Sequence, residues 1–273
     1  MTSAINGKAM RLARLSRHVD GRFLFVPMDH SVTDGPIADH ARFGQVVRAV
    51  LEGGADAVVL HKGRARSLDP RLFSRAGLIL HLSGGTSLAP DVNAKVLVAG
   101  VEEAIRIGAD AVSVHVNIGS DTEAAQLADL GAVADACDRW AVPLIAMVYP
   151  RGPRIGDPCD PVLLAHMAAI AAELGADIVK TCMANPPERM AEVVAACPIP
   201  VIAAGGAALD DDDVVTFARA AMSAGCGGLA VGRRAFGSPA PRHLVHQLAT
   251  VVHGHGRSAP LPLSPAGKLA GVR

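Results

Sequence analysis

One short junction recurs along this 273-residue chain and limits what it can fold into. Gly54-Ala-Asp56, Gly108-Ala-Asp110 and Gly175-Ala-Asp177 each end a helical pattern and open an apolar run, and Gly225-Cys-Gly227 is a looser copy. Four returns of one helix–turn–strand junction mark a repeated βα unit. Eight apolar runs fit that unit: 22–27, 56–60, 78–82, 110–115, 143–148, 177–180, 200–204 and 228–232. Each is rich in Val, Ile or Leu and lacks polar alternation, as expected for strands buried on both faces of a parallel sheet.

Helical patterns lie between the runs. Phe43, Val46, Val47, Val50 and Leu51 form one stripe, Leu127, Leu130, Val133, Ala134 and Cys137 a second, and Leu163, Met167, Ile170 and Leu174 a third. Asp160-Pro161 and Pro186-Pro187 read as helix starts, and Gly53, Gly108, Gly175 and Gly225 as helix ends. Residues 84–101 read as a loop followed by a helix from about Asp91. Eight strands alternating with helices predict an α/β fold, a single (β/α)8 TIM barrel spanning 22–253. An open doubly wound sheet is the weaker fit, because no G-x-G-x-x-G follows the first run. Residues 1–21 form a basic helical segment carrying Lys8, Arg11, Arg14 and Arg17, and 254–273, with its Pro, Gly and Ser, reads as a mobile tail.

Composition narrows the function. Half the residues are hydrophobic, so the chain can bury a core. Twenty-six basic and 26 acidic residues balance to zero, leaving no footprint for nucleic acid or an anionic membrane. One Tyr and one Trp cannot make a base-stacking platform. Five cysteines without a C-x-x-C pair predict reduced thiols and a cytoplasmic setting. No apolar stretch follows the basic N-terminus as in a signal peptide, and the longest apolar run, 141–149, is too short to span a membrane.

In a barrel, chemistry collects at the C-terminal strand ends. Lys180 ends the sixth run, where an apolar strand tip disfavours the charged amine and leaves a nucleophile for a carbonyl. Only five lysines exist: Lys8 and Lys268 are terminal, Lys95 is placed on a solvated helix face, and Lys62, also at a strand end, is the rival. The bland alternative is that Lys180 simply pairs with a carboxylate such as Asp29. Tyr149, the single Tyr, ends the neighbouring run and can exchange a proton with an oxyanion, or simply pack under a loop. Asp29 follows the first run and is aimed at the mouth as a base or as a partner for Lys180. With His61, His81 and His115 it is also a conceivable metal set, though no H-x-H or H-x-x-x-H spacing supports that, and the histidines can equally be buried and hydrogen-bonded. Gly205-Gly206 and Gly232-Arg233 fall where barrels hold phosphate, with a short helix near Arg233 adding its N-terminus; tight turns are the alternative. Asp210 to Asp213 read as a carboxylate-rich first helical turn, and His253-Gly-His255 is given no role.

Motifs in order at the strand ends resemble the archaeal-type class I aldolases, in the branch of the aminodideoxyheptulosonate synthases and their actinobacterial relatives. They are Val26-Pro-Met-Asp-His30, Leu60-His-Lys-Gly63, His81-Leu-Ser-Gly-Gly-Thr-Ser87, the stretch from Gly108 to Asn117, Pro143-Leu-Ile-Ala-Met147 and Tyr149-Pro-Arg-Gly152. Gly53-Gly-Ala-Asp-Ala57, Leu174 to Thr181, Ala204-Gly-Gly206 and Ala230-Val-Gly-Arg233 complete the set, which covers about residues 10–253. The resemblance implies a metal-independent Schiff-base lyase without cofactor. Lys180 would be the Schiff-base lysine, Tyr149 the proton donor and Asp29 the acid/base. Substrate would contact His30, Ser31, Val32, Thr33, Pro150 and Arg151, with phosphate on Gly205, Gly206, Gly232 and Arg233. Ser31 stands where the family usually has Gly.

Actinobacterial members of this branch join L-aspartate 4-semialdehyde to dihydroxyacetone phosphate on a route to 3-amino-4-hydroxybenzoate in secondary metabolism. The Arg- and Ala-rich, Lys-poor composition fits that origin. Heptulosonate synthesis and fructose-bisphosphate cleavage are the alternatives, and a non-catalytic phosphosugar-binding barrel is the contrasting class. Arg64, Arg66 and Arg154 stand as candidates for a second anion site. The partners implied are phosphorylated ketone and aldehyde substrates and further copies of the chain, in a ring as large as a decamer.

Overall fold

The computed structural model describes residues 2–205 and 211–254. Gly206, Asp210, His255 and the segment read as a mobile tail lie outside the described residues. Eight parallel strands close into a barrel: β1 (Phe23–Pro27), β2 (Ala57–Leu60), β3 (Gly77–His81), β6 (Ala111–Ile118), β7 (Leu144–Pro150), β8 (Ile178–Cys182), β9 (Val201–Ala204) and β10 (Gly228–Ala230). They run round the barrel in the order β1-β10-β9-β8-β7-β6-β3-β2. All eight predicted runs are strands.

The junction motif has a clear physical role. In each copy the Asp precedes a strand and clasps the start of the neighbouring one. The amides of Asp56, Asp110 and Asp177 donate to the carbonyls of Leu24, Leu78 and Leu144. Their carboxylates accept the amides of those same residues at 2.7, 3.2 and 2.8 Å. The preceding glycines Gly54, Gly108 and Gly175 hold φ of 110°, 90° and 90°, where a side chain would be strained.

The basic N-terminal helix α1 (Thr2–Leu15) closes this end of the barrel by meeting the same three aspartates. Lys8 pairs with Asp177 at 3.2 Å, Arg14 with Asp110 at 2.9 Å, and the Arg17 amide donates to Asp56. Leu15 plugs the floor among Phe23, Ile145 and Ile178, and a Cβ at Gly77 would overlap it.

Helices α2 (Ser31–Asp34), α3 (His40–Glu52), α4 (Lys62–Arg66), α5 (Val101–Ile107), α6 (Glu123–Trp140), α7 (Pro161–Glu173), α8 (Met190–Ala195), α9 (Asp211–Ser223), α10 (Arg233–Gly237) and α11 (Pro241–His253) follow the strands. The stripes on α3 and α6 face the barrel, with Phe43, Val47 and Val50, then Leu130, Val133 and Cys137, buried. On α7 the buried face is Leu164, Met167 and Ala168, so of the predicted stripe only Met167 is fully buried, and Leu163, Ile170 and Leu174 pack partly exposed beside it. Asp160 caps α7 through the Val162 amide, with Pro161 in its first turn.

The helix expected from about Asp91 is absent. Instead β4 (Ser83–Gly84) and β5 (Val96–Leu97) pair antiparallel, and the helix begins only at Val101. The 84–101 stretch is held by partners distant in sequence: the carbonyl of Asn93 accepts from Asn117 Nδ2 at 2.8 Å and from Gln126 Nε2 at 3.0 Å. No helix among the described residues is long and apolar enough to cross a membrane.

Candidate active site

Alternate residues of each strand point inward. The lower layers are apolar: Phe25, Val59, Ile79, Met147 and Ile202 pack together. The strands turn polar only near their C-terminal ends, where a cavity of about 530 Å3 opens. Its lining includes Asp29, His30, Thr33, His61, His81, His115, Tyr149, Pro150, Arg151, Lys180, Gly205, Gly232 and Arg233. The predicted Lys180, Tyr149 and Asp29 therefore share one chamber.

Lys180 sits on β8 opposite Met147 of β7 and Ile202 of β9. Its Nζ lies 3.8 Å from the Met147 sulfur, and among the described residues no carboxylate comes within 4.0 Å. Lys180 is thus not locked in an ion pair with Asp29. The rival Lys62 opens α4, turns away from the chamber and pairs with Glu103 at 3.2 Å.

Tyr149 lies two residues beyond Met147, on the same inward face of β7, and is buried. Its ring meets His115 at 5.1 Å between centroids, and the Arg151 guanidinium lies 4.7 Å from its centroid, a cation–π contact. These two contacts hold the phenol ring in place.

The Asp29 carboxylate is framed by histidines, with His81 Nε2 at 3.6 Å and His30 Nδ1 at 3.7 Å. Burial alone would raise its pKa, but the charges of His81, Lys180 and His30 prevail and hold it down to about 2. The carboxylate is therefore ionised at any physiological pH. Its Oδ1 has no hydrogen-bond partner among the described residues, so one oxygen remains available as a base. Burial pushes His81 down to about 4 despite Asp29, so its ring is neutral; its Nδ1 is taken by Ser113 at 2.8 Å. His115, lowered by burial and then by Arg151, is tied to Asn117 at 2.8 Å. Of the strand-end histidines His81 is buried and His61 and His115 are half-buried. His81 and His115 each have one ring nitrogen committed, and His61 faces the His81 ring at 5.2 Å.

At the β9–β10 end, Gly205 and Gly232 line the wall. A Cβ at Gly232 would lie 2.6 Å from the Pro27 carbonyl and 2.8 Å from the His30 ring, so only glycine fits. Arg233 reaches the cavity half-exposed, 4.0 Å from Asp34. The helix it opens is only five residues long, so its few free amides, more than a dipole, are what it offers an anion.

Ser31 and Val32 are not part of the lining: the chain turns into α2 after His30, which carries Val32 outward and leaves Thr33 facing in, its hydroxyl on the Gly85 carbonyl. Arg64, Arg66 and Arg154 do not reach the cavity either. Arg64 stacks over Phe43, and Arg66 pairs with Glu103. Sequence reasoning missed Lys95, which lines the chamber instead of a solvated helix face, and also Asp34, Cys159 and Cys182. The i+2 spacing from Lys180 signals Cys182; no local pattern signals Lys95.

An amine inside a parallel barrel, sharing its chamber with an ionised carboxylate and a phenol, defines a class I aldolase. The family follows from comparison: the model of the DeoC/LacD family aldolases matches residues 23–238, and the chain belongs to that family. It is 47% identical over 266 residues, 97% of both chains, to 2-amino-4,5-dihydroxy-6-oxo-7-(phosphonooxy)heptanoate synthase of Streptomyces griseus. It is 42% identical over 249 residues, 91% of this chain and 92% of the relative, to 2-amino-3,7-dideoxy-D-threo-hept-6-ulosonate synthase 1 of Archaeoglobus fulgidus. An archaeal fructose 1,6-bisphosphate aldolase superposes with a TM-score of 0.81 at 28% identity, over 91% of this chain and all of that one. A second structure of such an aldolase, with its catalytic Lys covalently bound to a carbinolamine intermediate, gives 0.81 at 26% identity, over 90% of this chain and 100% of that one.

Proposed function

We propose that this chain condenses L-aspartate 4-semialdehyde with dihydroxyacetone phosphate to give 2-amino-4,5-dihydroxy-6-oxo-7-(phosphonooxy)heptanoate, using Lys180 as a Schiff-base nucleophile. The observation that carries the reading is the unpaired Lys180 amine in the same chamber as Asp29 and Tyr149. The 47% identical synthase supports the choice of product.

Phosphate anchors on Gly205, one strand beyond Lys180, and on Gly232 and Arg233, two strands beyond it. The Lys180 amine adds to the C2 ketone; Asp29 and Tyr149 carry the protons by which the carbinolamine loses water. The iminium acidifies C3, and Asp29, already ionised, takes that proton to give an enamine. The enamine carbon bonds to the aldehyde carbon, and Tyr149 protonates the new alkoxide. Water then adds to the iminium and frees product and amine. Four carbons from the semialdehyde and three from the ketone make the heptanoate chain. Covalent activation supplies the electron sink by itself.

The setting we propose is cytoplasmic, supported by five free cysteines. Assembly into a homo-oligomer belongs to the same reading, supported by exposed apolar side chains at Leu88, Val92 and Val96. The test is borohydride reduction in the presence of dihydroxyacetone phosphate, followed by peptide mass mapping. A reduced adduct on Lys180 is expected. An adduct on Lys62, or none together with chelator-sensitive activity, overturns the assignment.

A further inference from the structure

The proposed product carries a phosphate at one end and a carboxylate at the other, so the chamber has two anions to hold. The glycine-rich end, after β9 and β10, accounts for one. Lys180 on β8 separates that end from β7 and from the β4–β5 hairpin. On this second flank two further cations face the same cavity, Lys95 and Arg151. Neither has a carboxylate within 4.0 Å among the described residues. The Lys95 ammonium donates only to the Val92 carbonyl, at 3.1 Å, which leaves further N–H donors free. The Arg151 guanidinium lies over the Tyr149 ring, which holds it beside the reacting centre.

We propose that Lys95, with Arg151 beside it, binds the carboxylate of the acceptor aldehyde and sets the preference of the enzyme for anionic over neutral acceptors. The placement is built into the fold. A Cβ at Gly85 would lie 2.8 Å from Lys95 Nζ and 2.6 Å from the Ala94 carbonyl, so glycine there makes room for the lysine. Two residues before Lys95, the Asn93 carbonyl is gripped by Asn117 and Gln126, which are both buried. Burial, then the Arg151 charge, lowers the Lys95 pKa, while Asp91 and Asp34 oppose the shift. An arriving carboxylate offsets the Arg151 charge that disfavours the Lys95 ammonium. An acceptor anchored there presents its aldehyde towards Lys180 and Tyr149, where the enamine forms.

The inference rests on the aldolase reading, and the two are told apart by using different substrates. Trapping of dihydroxyacetone phosphate on Lys180 needs no acceptor and tests that reading alone. For Lys95, kcat/KM is compared for aspartate semialdehyde, glyceraldehyde 3-phosphate and neutral propanal in wild type, Lys95→Met and Lys95→Arg. A charge-assisted hydrogen bond predicts that Lys95→Met lowers the preference for aspartate semialdehyde over propanal about tenfold or more, mainly through KM, and that Lys95→Arg restores most of it. A preference that does not move, or an equal loss with both acceptors, overturns the proposal. A larger loss with glyceraldehyde 3-phosphate than with aspartate semialdehyde also overturns it, by making this a phosphate site. A readout free of turnover is acylation of Lys95 by acetic anhydride: succinate semialdehyde protects it and propanal does not. Equal protection by both counts against the carboxylate subsite.

Discussion

Lys180 Nζ lies 3.8 Å from the sulfur of Met147, its register partner on the adjacent strand. A soft thioether, not a carboxylate, is the hydrogen-bond acceptor of this amine among the described residues. Met147→Glu puts a carboxylate at that place and holds the amine protonated by ion pairing. We expect adduct formation to slow about tenfold or more at neutral pH, with recovery at higher pH, while Met147→Leu stays close to wild type. Stopped borohydride trapping across pH measures both.

Gly232 meets the Pro27 carbonyl and the His30 ring so closely that Gly232→Ala must shift β1 or the glycine turn. The expected result is a rise of KM for dihydroxyacetone phosphate of at least about tenfold, with a loss of stability of about 1–3 kcal/mol from the displaced backbone. Steady-state kinetics and a thermal melt check it; unchanged KM removes Gly232 from the phosphate end.

His81 imposes a stability window. Its folded value of about 4 lies below the ordinary 6.5, because burial penalises the imidazolium. Between those two values the unfolded chain binds a proton that the folded chain refuses, so stability falls as pH drops from about 6.5 to about 4. The loss is on the order of 3 kcal/mol. Asp29, depressed to about 2, keeps its contribution until lower pH and adds no slope in this window. Urea titrations at stepped pH read the slope, and His81→Gln reduces it without abolishing it, because burial lowers His115, His61 and His30 in the same direction.

At the floor of the barrel the sign is opposite. His253 donates to Asp20 at 2.8 Å and to Asp56 at 3.1 Å. Burial alone would lower its pKa, but the hydrogen bonds and charges of Asp56 and Asp20 win and raise it. That stabilisation is complete below about 6.5 and is lost as pH rises through the elevated folded value. Melting temperature therefore declines on the alkaline side, and His253→Gln removes the decline.

Asp56 also accepts the amides of Leu24 and Arg17, so Asp56→Ala strands several buried donors. We expect a loss of about 3–5 kcal/mol, larger than for Asp110→Ala, whose ion-pair partner Arg14 is half-exposed. Denaturant melts of the two variants rank them.

Much of the lining of the chamber was legible without coordinates. A strand tip is a local feature, so Lys180, Tyr149 and Asp29 could be picked out from apolar runs and the residues that end them. The Gly-Ala-Asp repeat was visible, though its clasp on the neighbouring strand was not. His253 carried no signal, because its partners Asp20 and Asp56 are about 200 residues away in sequence.

By itself, then, the sequence determined the alternation of strand and helix, the barrel and which side chains stand at its mouth. These follow from periodicity and strand-end position, which neighbouring residues encode. Only the tertiary structure put Lys180 in the chamber and Lys62 outside it, since both end strands and only the turn into α4 sends Lys62 out to Glu103. It alone brought Lys95 into the chamber, because the 84–101 segment is held by Asn117 and Gln126 instead of by its own helical hydrogen bonds. Contacts between distant segments leave no period in the chain, and those contacts determine which cation faces the substrate.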